Sequence, residues 1–169
     1  MPYALDEMAR DIHAVLARQS VSEASTELCQ IVARALTDDA FVATHLKDRP
    51  EGGHPREVLY EDPDLGFCIC GHVYEGAAQS GPHDHGSSWA IYGQADGETE
   101  MTDWTIVEEG SDDTPARVTP AKLYTLRRGD AYFYDVGDVH SPRREQSTRL
   151  VRVEGANLDH VQRSLIEAL

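Results

Sequence analysis

The stretch Gly81-Pro82-His83-Asp84-His85-Gly86-Ser87-Ser88-Trp89 carries most of what this chain says about itself. In an extended strand, residues two apart project to one face, so His83 and His85 aim their imidazoles at a common point. Two neutral imidazoles make an incomplete site, and a third ligand has to come from elsewhere. His140, in Gly137-Asp138-Val139-His140, follows a tight glycine turn and leads a later strand. Three such nitrogens suit a divalent transition metal with positions left open for substrate.

The surroundings read as β-structure. From Arg49-Pro50-Glu51-Gly52-Gly53 onward, Gly and Pro recur, helical periodicity stops, and short β-prone runs alternate with turn residues. Expected strands are Glu57 to Tyr60, Phe67 to Tyr74, Trp89 to Tyr92, Glu98 to Val107, Lys122 to Leu126, Ala131 to Tyr134 and Arg149 to Val153, a pattern that fits a sandwich or barrel. Glu108-Glu109-Gly110-Ser111-Asp112-Asp113 reads as a solvated hairpin loop. Before this region, residues 1–50 read as helices. Leu5, Met8, Ile12, Val15 and Leu16 form one stripe, and Leu28, Ile31, Val32, Ala35 and Leu36 form a second behind a Ser20-x-x-Glu23 capping box. A third helix is expected from Thr37, with Asp38 and Asp39 in its first turn. Leu158, Val161, Leu165 and Leu169 predict an amphipathic helix over 156–169 that docks or meets a second subunit. The expected organisation is one domain over 1–169: a helical layer (1–50), a barrel (55–155) and a C-terminal helix (156–169).

Composition narrows the function. The 169 residues hold 15 Lys and Arg against 30 Asp and Glu, a formal charge of −15 at pH 7. That charge repels phosphate backbones and anionic lipid, so nucleic-acid and membrane-surface roles are not expected and small ligands remain. No apolar run approaches the roughly 18–20 residues that span a bilayer. The start of the chain lacks a basic and then apolar leader pattern. With three cysteines, an odd count that argues against a disulfide framework, the expectation is a cytoplasmic protein.

Around His83 and His85, Gly76 precedes and Gly97 follows at the distances of the first cupin motif. Gly129-Asp130-Ala131-Tyr132-Phe133-Tyr134-Asp135-Val136-Gly137-Asp138-Val139-His140 resembles the second. The resemblance implies an all-β cupin, a double-stranded β-helix barrel. Where a typical cupin carries a Glu ligand, this chain has Trp89 and Ala90, and Asp135 and Arg144 replace the Pro and Asn of the second motif. Three uncharged ligands leave a 2+ ion uncompensated and favour an anionic guest.

That three-histidine variant resembles the thiol dioxygenases, the cysteine dioxygenase and 3-mercaptopropionate dioxygenase group, from about Arg56 to about His140. The resemblance implies Fe(II) on His83, His85 and His140, with a small thiol carboxylate and O2 as substrates and a sulfinic acid as product. It also implies that Arg56 binds the substrate carboxylate, for which a guanidinium fork is suited. Trp89 and Tyr92 are expected to wall the pocket, and a homodimer is a possible assembly. The chain departs from the group in two places. The Ser-x-His-x-Tyr relay after the third ligand is replaced by Leu150-x-Arg152-x-Glu154, leaving Tyr132, Tyr134 or Arg152 as substitute donors. Ala90 stands where some members carry a crosslinking Cys. Two rival readings stay open: a metal cupin acting on a non-thiol substrate, and a cupin that binds a metal or small molecule without turnover.

Other residues read as structural. Cys68 and Cys70 share a strand face but lack a second ligand pair, so burial is expected. His72 continues that face. Glu98 and Glu100 are expected on a polar strand face. No P-loop, dinucleotide fingerprint or Gly-x-Ser-x-Gly elbow is present.

Overall fold

The computed structural model describes residues 2–169. Three helices come first: α1 (Leu5–Leu16), α2 (Val21–Leu36) and α3 (Asp39–His45). The capping box opens α2 as expected: the Ser20 amide donates to the Glu23 carboxylate at 3.1 Å. α3 starts two residues later than expected because Asp38 caps it, its carboxylate accepting from the Ala40 and Phe41 amides at 2.9 and 3.1 Å.

Ten strands follow: β1 (Arg56–Glu61), β2 (Cys68–Tyr74), β3 (Ala78–Gln79), β4 (Ala90–Asp96), β5 (Thr99–Glu108), β6 (Ala116–Leu126), β7 (Ala131–Tyr134), β8 (Val139–Arg144), β9 (Thr148–Glu154) and β10 (Ile166–Ala168). They form two five-stranded sheets, ordered β1-β2-β9-β4-β7 and β10-β6-β5-β8-β3. β6 is longer than expected because its first half, around Pro120, is polar and pairs with β5 across a register shift. β8 carries Pro142 and two arginines, a poor β-signature, yet pairs with β5 from Glu100 to Trp104.

The helical layer covers one face of the first sheet. Met8, Ile12, Leu28, Val32 and Leu36 bury themselves against Ile69, Ile91, Val151 and Val153. Contact is close at Gly93 in β4, where an added Cβ would lie 2.7 Å from Val32 Cγ1 and 2.9 Å from Leu36 Cδ2. The opposite face carries Ala90 and Tyr92, which join Met101, Leu126 and Tyr134 in a second core between the sheets. Strand alternation therefore divides β2, β4 and β9 between two buried environments, one apolar and one partly polar.

The C-terminal helix expected over 156–169 does not form. A single 3₁₀ turn covers Leu158–His160, and the chain then runs extended into β10, which pairs in parallel with β6. Of the apolar residues at helical spacing, Leu165 and Leu169 are exposed and Leu158 and Val161 are half-buried. A sheet edge with free hydrogen-bonding groups outcompeted a weak helical stripe. Among the described residues, no helix is long and apolar enough to cross a membrane.

Candidate metal centre

His83 and His140 are locked together by their backbones. The His83 amide donates to the His140 carbonyl and the His140 amide to the His83 carbonyl, both at 3.0 Å. Such a reciprocal pair places two side chains next to each other on one face. His85, two residues on, joins them: ring centroids lie 4.8 Å apart for His83 and His140, and 4.7 Å for His85 and His140. One ligand nitrogen from each ring lies within 4.8 Å of the others, so the three converge as a group able to hold one ion.

The donor set fits a cation. The His83 Nδ1–H donates to the Gly81 carbonyl at 3.0 Å, which directs the Nε2 lone pair outward. His85 and His140 are buried, and burial holds all three imidazoles below their ordinary pKa, His85 down to about 2. All three are therefore neutral at physiological pH, the state a metal requires. Among the described residues, no carboxylate joins the cluster. Tyr134 stacks on His140 with centroids 4.0 Å apart and orients the ring.

Two five-stranded sheets facing each other, with this triad at one end of their shared interior, settle the architecture. The fold is a two-sheet β-barrel with a helical layer. No family model and no curated protein matches the chain. Solved structures to which it is similar include an uncharacterized conserved protein with a double-stranded β-helix domain from Klebsiella pneumoniae, at 19% identity and TM-score 0.47, covering 71% of this chain and 85% of that one. A cupin-2 domain containing protein from Shewanella frigidimarina matches at 13% identity and TM-score 0.46, covering 71% and 95%. The Cnp3 cupin domain of Schizosaccharomyces pombe matches at 10% identity and TM-score 0.45; 60% of this chain is covered, and it spans 64% of that domain.

Of the aromatic residues expected at the pocket, Tyr92 faces the triad. Its hydroxyl lies 2.9 Å from His85 Nε2 and 3.1 Å from His140 Nε2. Trp89 does not reach the triad. Just before β4, it packs against the helix-facing core beside Phe133.

Arg56 is placed away from the histidines. It donates to Glu154 through Nη2 at 2.7 Å and Nε at 3.3 Å, and also to Asp159 at 2.8 Å and Asn157 at 3.1 Å. The guanidinium beside the triad belongs to Arg152, whose Cζ sits 3.9 Å over the Tyr92 ring. Arg152 and His83 line the same cavity of about 310 Å³, together with Tyr74, Tyr92, Arg144 and Arg163. Arg152 is only 8% exposed, makes no hydrogen bond to protein, and has Glu154 as its nearest carboxylate at 3.9 Å. A signal for Arg152 existed in the sequence: in Leu150-x-Arg152-x-Glu154, two charged residues share a face of a strand whose other face is Val151 and Val153.

The remaining singled-out residues are accounted for structurally. Cys68 and Cys70 are buried, and burial pushes their thiols up to about 11 and about 12, which makes them poor nucleophiles. His72 accepts or donates at Tyr74 Oη (2.9 Å) and is held neutral by burial. Glu98 and Glu100 pair with Arg127 and Arg143. The segment after β9 straps across the His-x-His loop: the Ala156 amide donates to Ser88 Oγ and the Ser164 amide to Asp84, each at 3.1 Å. Gly86 lies beneath it at φ +59°, and a Cβ there would meet the Gln162 carbonyl at 2.2 Å.

Proposed function

We propose that this chain is a cupin and a mononuclear Fe(II) thiol dioxygenase that converts a small thiol carboxylate and O2 to a sulfinic acid. The observation that carries the reading is a cluster of three neutral imidazoles, unaccompanied by a carboxylate, one of which, His83, lines the same cavity as the buried Arg152, whose Nε lacks a hydrogen-bond partner. His83, His85 and His140 would hold the iron, which supplies the redox chemistry by which both atoms of dioxygen are added to a thiolate sulfur. The uncompensated charge of such a centre favours a thiolate over a neutral ligand.

Arg152 takes the role that the family resemblance gave to Arg56. Its fork offers charge-assisted hydrogen bonds to a carboxylate, worth about twice a neutral one. Stacking on Tyr92 fixes its plane. A substrate held there by its carboxylate presents its other end to the triad, and this positioning is itself a catalytic contribution. The Tyr92 hydroxyl, between two ligand imidazoles, is the nearest proton donor to that end and stands in for the missing relay. The same hydroxyl favours a second reading: metal-assisted proton transfer on a carboxylate without a thiol.

The test is oxygen uptake by iron-reconstituted protein with cysteine, cysteamine and 3-mercaptopropionate, alongside metal analysis. Uptake matched to sulfinate formation, with carboxylate-bearing thiols preferred over cysteamine, is expected. Binding of carboxylates without any thiol-dependent uptake would refute the dioxygenase reading and support the second.

A further inference from the structure

The basic residues of this acidic chain are distributed unevenly. Of the fifteen, two are lysines (Lys47 and Lys122) and thirteen are arginines. Eleven arginines have a carboxylate within 4.0 Å. Among the described residues, the two without one are Arg144 and Arg163, and both line the cavity that holds His83. The third arginine there, Arg152, has only Glu154, which Arg56 already holds by two hydrogen bonds. No Asp or Glu lines this cavity. With twice as many acids as bases in the chain, three guanidiniums around one small acid-free space are a built feature, because Arg144 and Arg163 go without a carboxylate and Arg152 shares one that Arg56 already holds.

Arg144 and Arg152 are held in matching ways. Arg152 lies over Tyr92 at 3.9 Å and Arg144 over Tyr74 at 4.0 Å. Arg144 gives its Nε–H to the Gly76 carbonyl at 3.3 Å and leaves its Nη groups without a protein acceptor. Stacking fixes the plane of each guanidinium and leaves its edge for a planar anion. One carboxylate satisfies one fork. Two forks, with Arg163 at the exposed rim, call for a second anionic group.

We propose that the substrate is a dicarboxylate: a short-chain thiol carrying two carboxylates, one on Arg152 and one on Arg144. The cavity of about 310 Å³ lies at the small end of ligand sites, which suits a molecule of about ten heavy atoms. The inference rests on the dioxygenase reading for its sulfur and on the cavity alone for its two carboxylates.

Two ligand pairs that differ by a single carboxylate test it: mercaptosuccinate against 3-mercaptopropionate, and succinate against butyrate. Titration calorimetry on the metal-loaded full chain should show the dicarboxylate of each pair binding at least tenfold more tightly. In Arg144→Gln that ratio should collapse toward one, and Arg144→Lys should restore part of it, with metal content and melting temperature establishing that both variants are folded. Equal affinities within each pair, no binding of either dicarboxylate, or an unchanged ratio in Arg144→Gln would overturn the proposal. Oxygen uptake separates this inference from the reading beneath it. Tight succinate binding with no thiol-dependent uptake leaves the dicarboxylate cavity standing and removes the dioxygenase. Uptake with 3-mercaptopropionate and no gain from mercaptosuccinate does the reverse.

Discussion

Arg56→Met separates a structural from a substrate-binding guanidinium. Glu154 has no exposed surface, and Arg56 supplies both of the short hydrogen bonds to its carboxylate, at 2.7 and 3.3 Å. Without Arg56, the nearest cation to that carboxylate is Arg152 at 3.9 Å. Removing one partner of a buried pair costs about 3–5 kcal/mol, since the other charge stays out of water. The arm that reaches Asp159, itself 60% exposed, adds at most about 1 kcal/mol. Against a total stability of about 5–15 kcal/mol this is about a fifth or more. For a chain of this length it corresponds to a fall in melting temperature of about 6–20 °C. Urea unfolding followed by circular dichroism, with the slope compared between variants, reads the loss directly. A loss under about 1 kcal/mol, together with a KM raised more than tenfold, would refute the reasoning and return Arg56 to the substrate.

Arg152→Met should behave in the opposite way: stability within about 1 kcal/mol of the parent or above it, because a buried cation without hydrogen bonds is removed, and KM for a carboxylate substrate raised about thirtyfold or more; steady-state kinetics and urea midpoints check both halves. His140→Ala should reduce bound metal from about one per chain to under a tenth, measured by elemental analysis; full occupancy would discredit the triad. Burial depresses the pKa of His72, His83, His85 and His140, so the unfolded chain takes up protons below about pH 6.5 that the folded metal-free chain does not. Stability is thus complete above that pH and falls on acidification by about 1.4 kcal/mol per pH unit for each such histidine; an unfolding midpoint at pH 5 equal to that at pH 7 would count against it. Gly86→Ala should lift the strap over the His-x-His loop and lower stability by about 1–3 kcal/mol. Limited proteolysis should then cut after Gly155, and unchanged resistance would mean the contact at Gln162 is not tight.

The local elements were legible where one physical signal dominated. The α1 and α2 stripes, the Ser20–Glu23 box and the alternation of β2, β4 and β9 are short-range patterns, and the structure places them within a few residues of expectation. Where two signals competed, tertiary context prevailed: the apolar residues of 158–169 sit at helical spacing, but β6 offered an open edge and took Ile166–Ala168 as a strand. β8 was poorly marked because its Pro142, Arg143 and Arg144 are unlike a strand, and β5 supplied the pairing that their propensities did not.

At the centre, the sequence singled out His83, His85 and His140 as candidate ligands, and the fold brings them together through the isolated bridge between His83 and His140 rather than through a strand that carries both His83 and His85. The expectation that Trp89 and Tyr92 both wall the pocket did not survive folding: Tyr92 faces the histidines and Trp89 packs under the helical layer. Which arginine stands beside the histidines was decided only by the fold. Arg56 and Arg152 are equivalent as side chains and differ in what surrounds them. Glu154, 98 residues away from Arg56 in the chain, is brought to it across the β1-β2-β9 edge and takes up its charge. Arg152, in the middle strand of the same sheet, is left over Tyr92 with its donors unused. Pairing over such distances depends on strand order, which no local pattern of residues encodes.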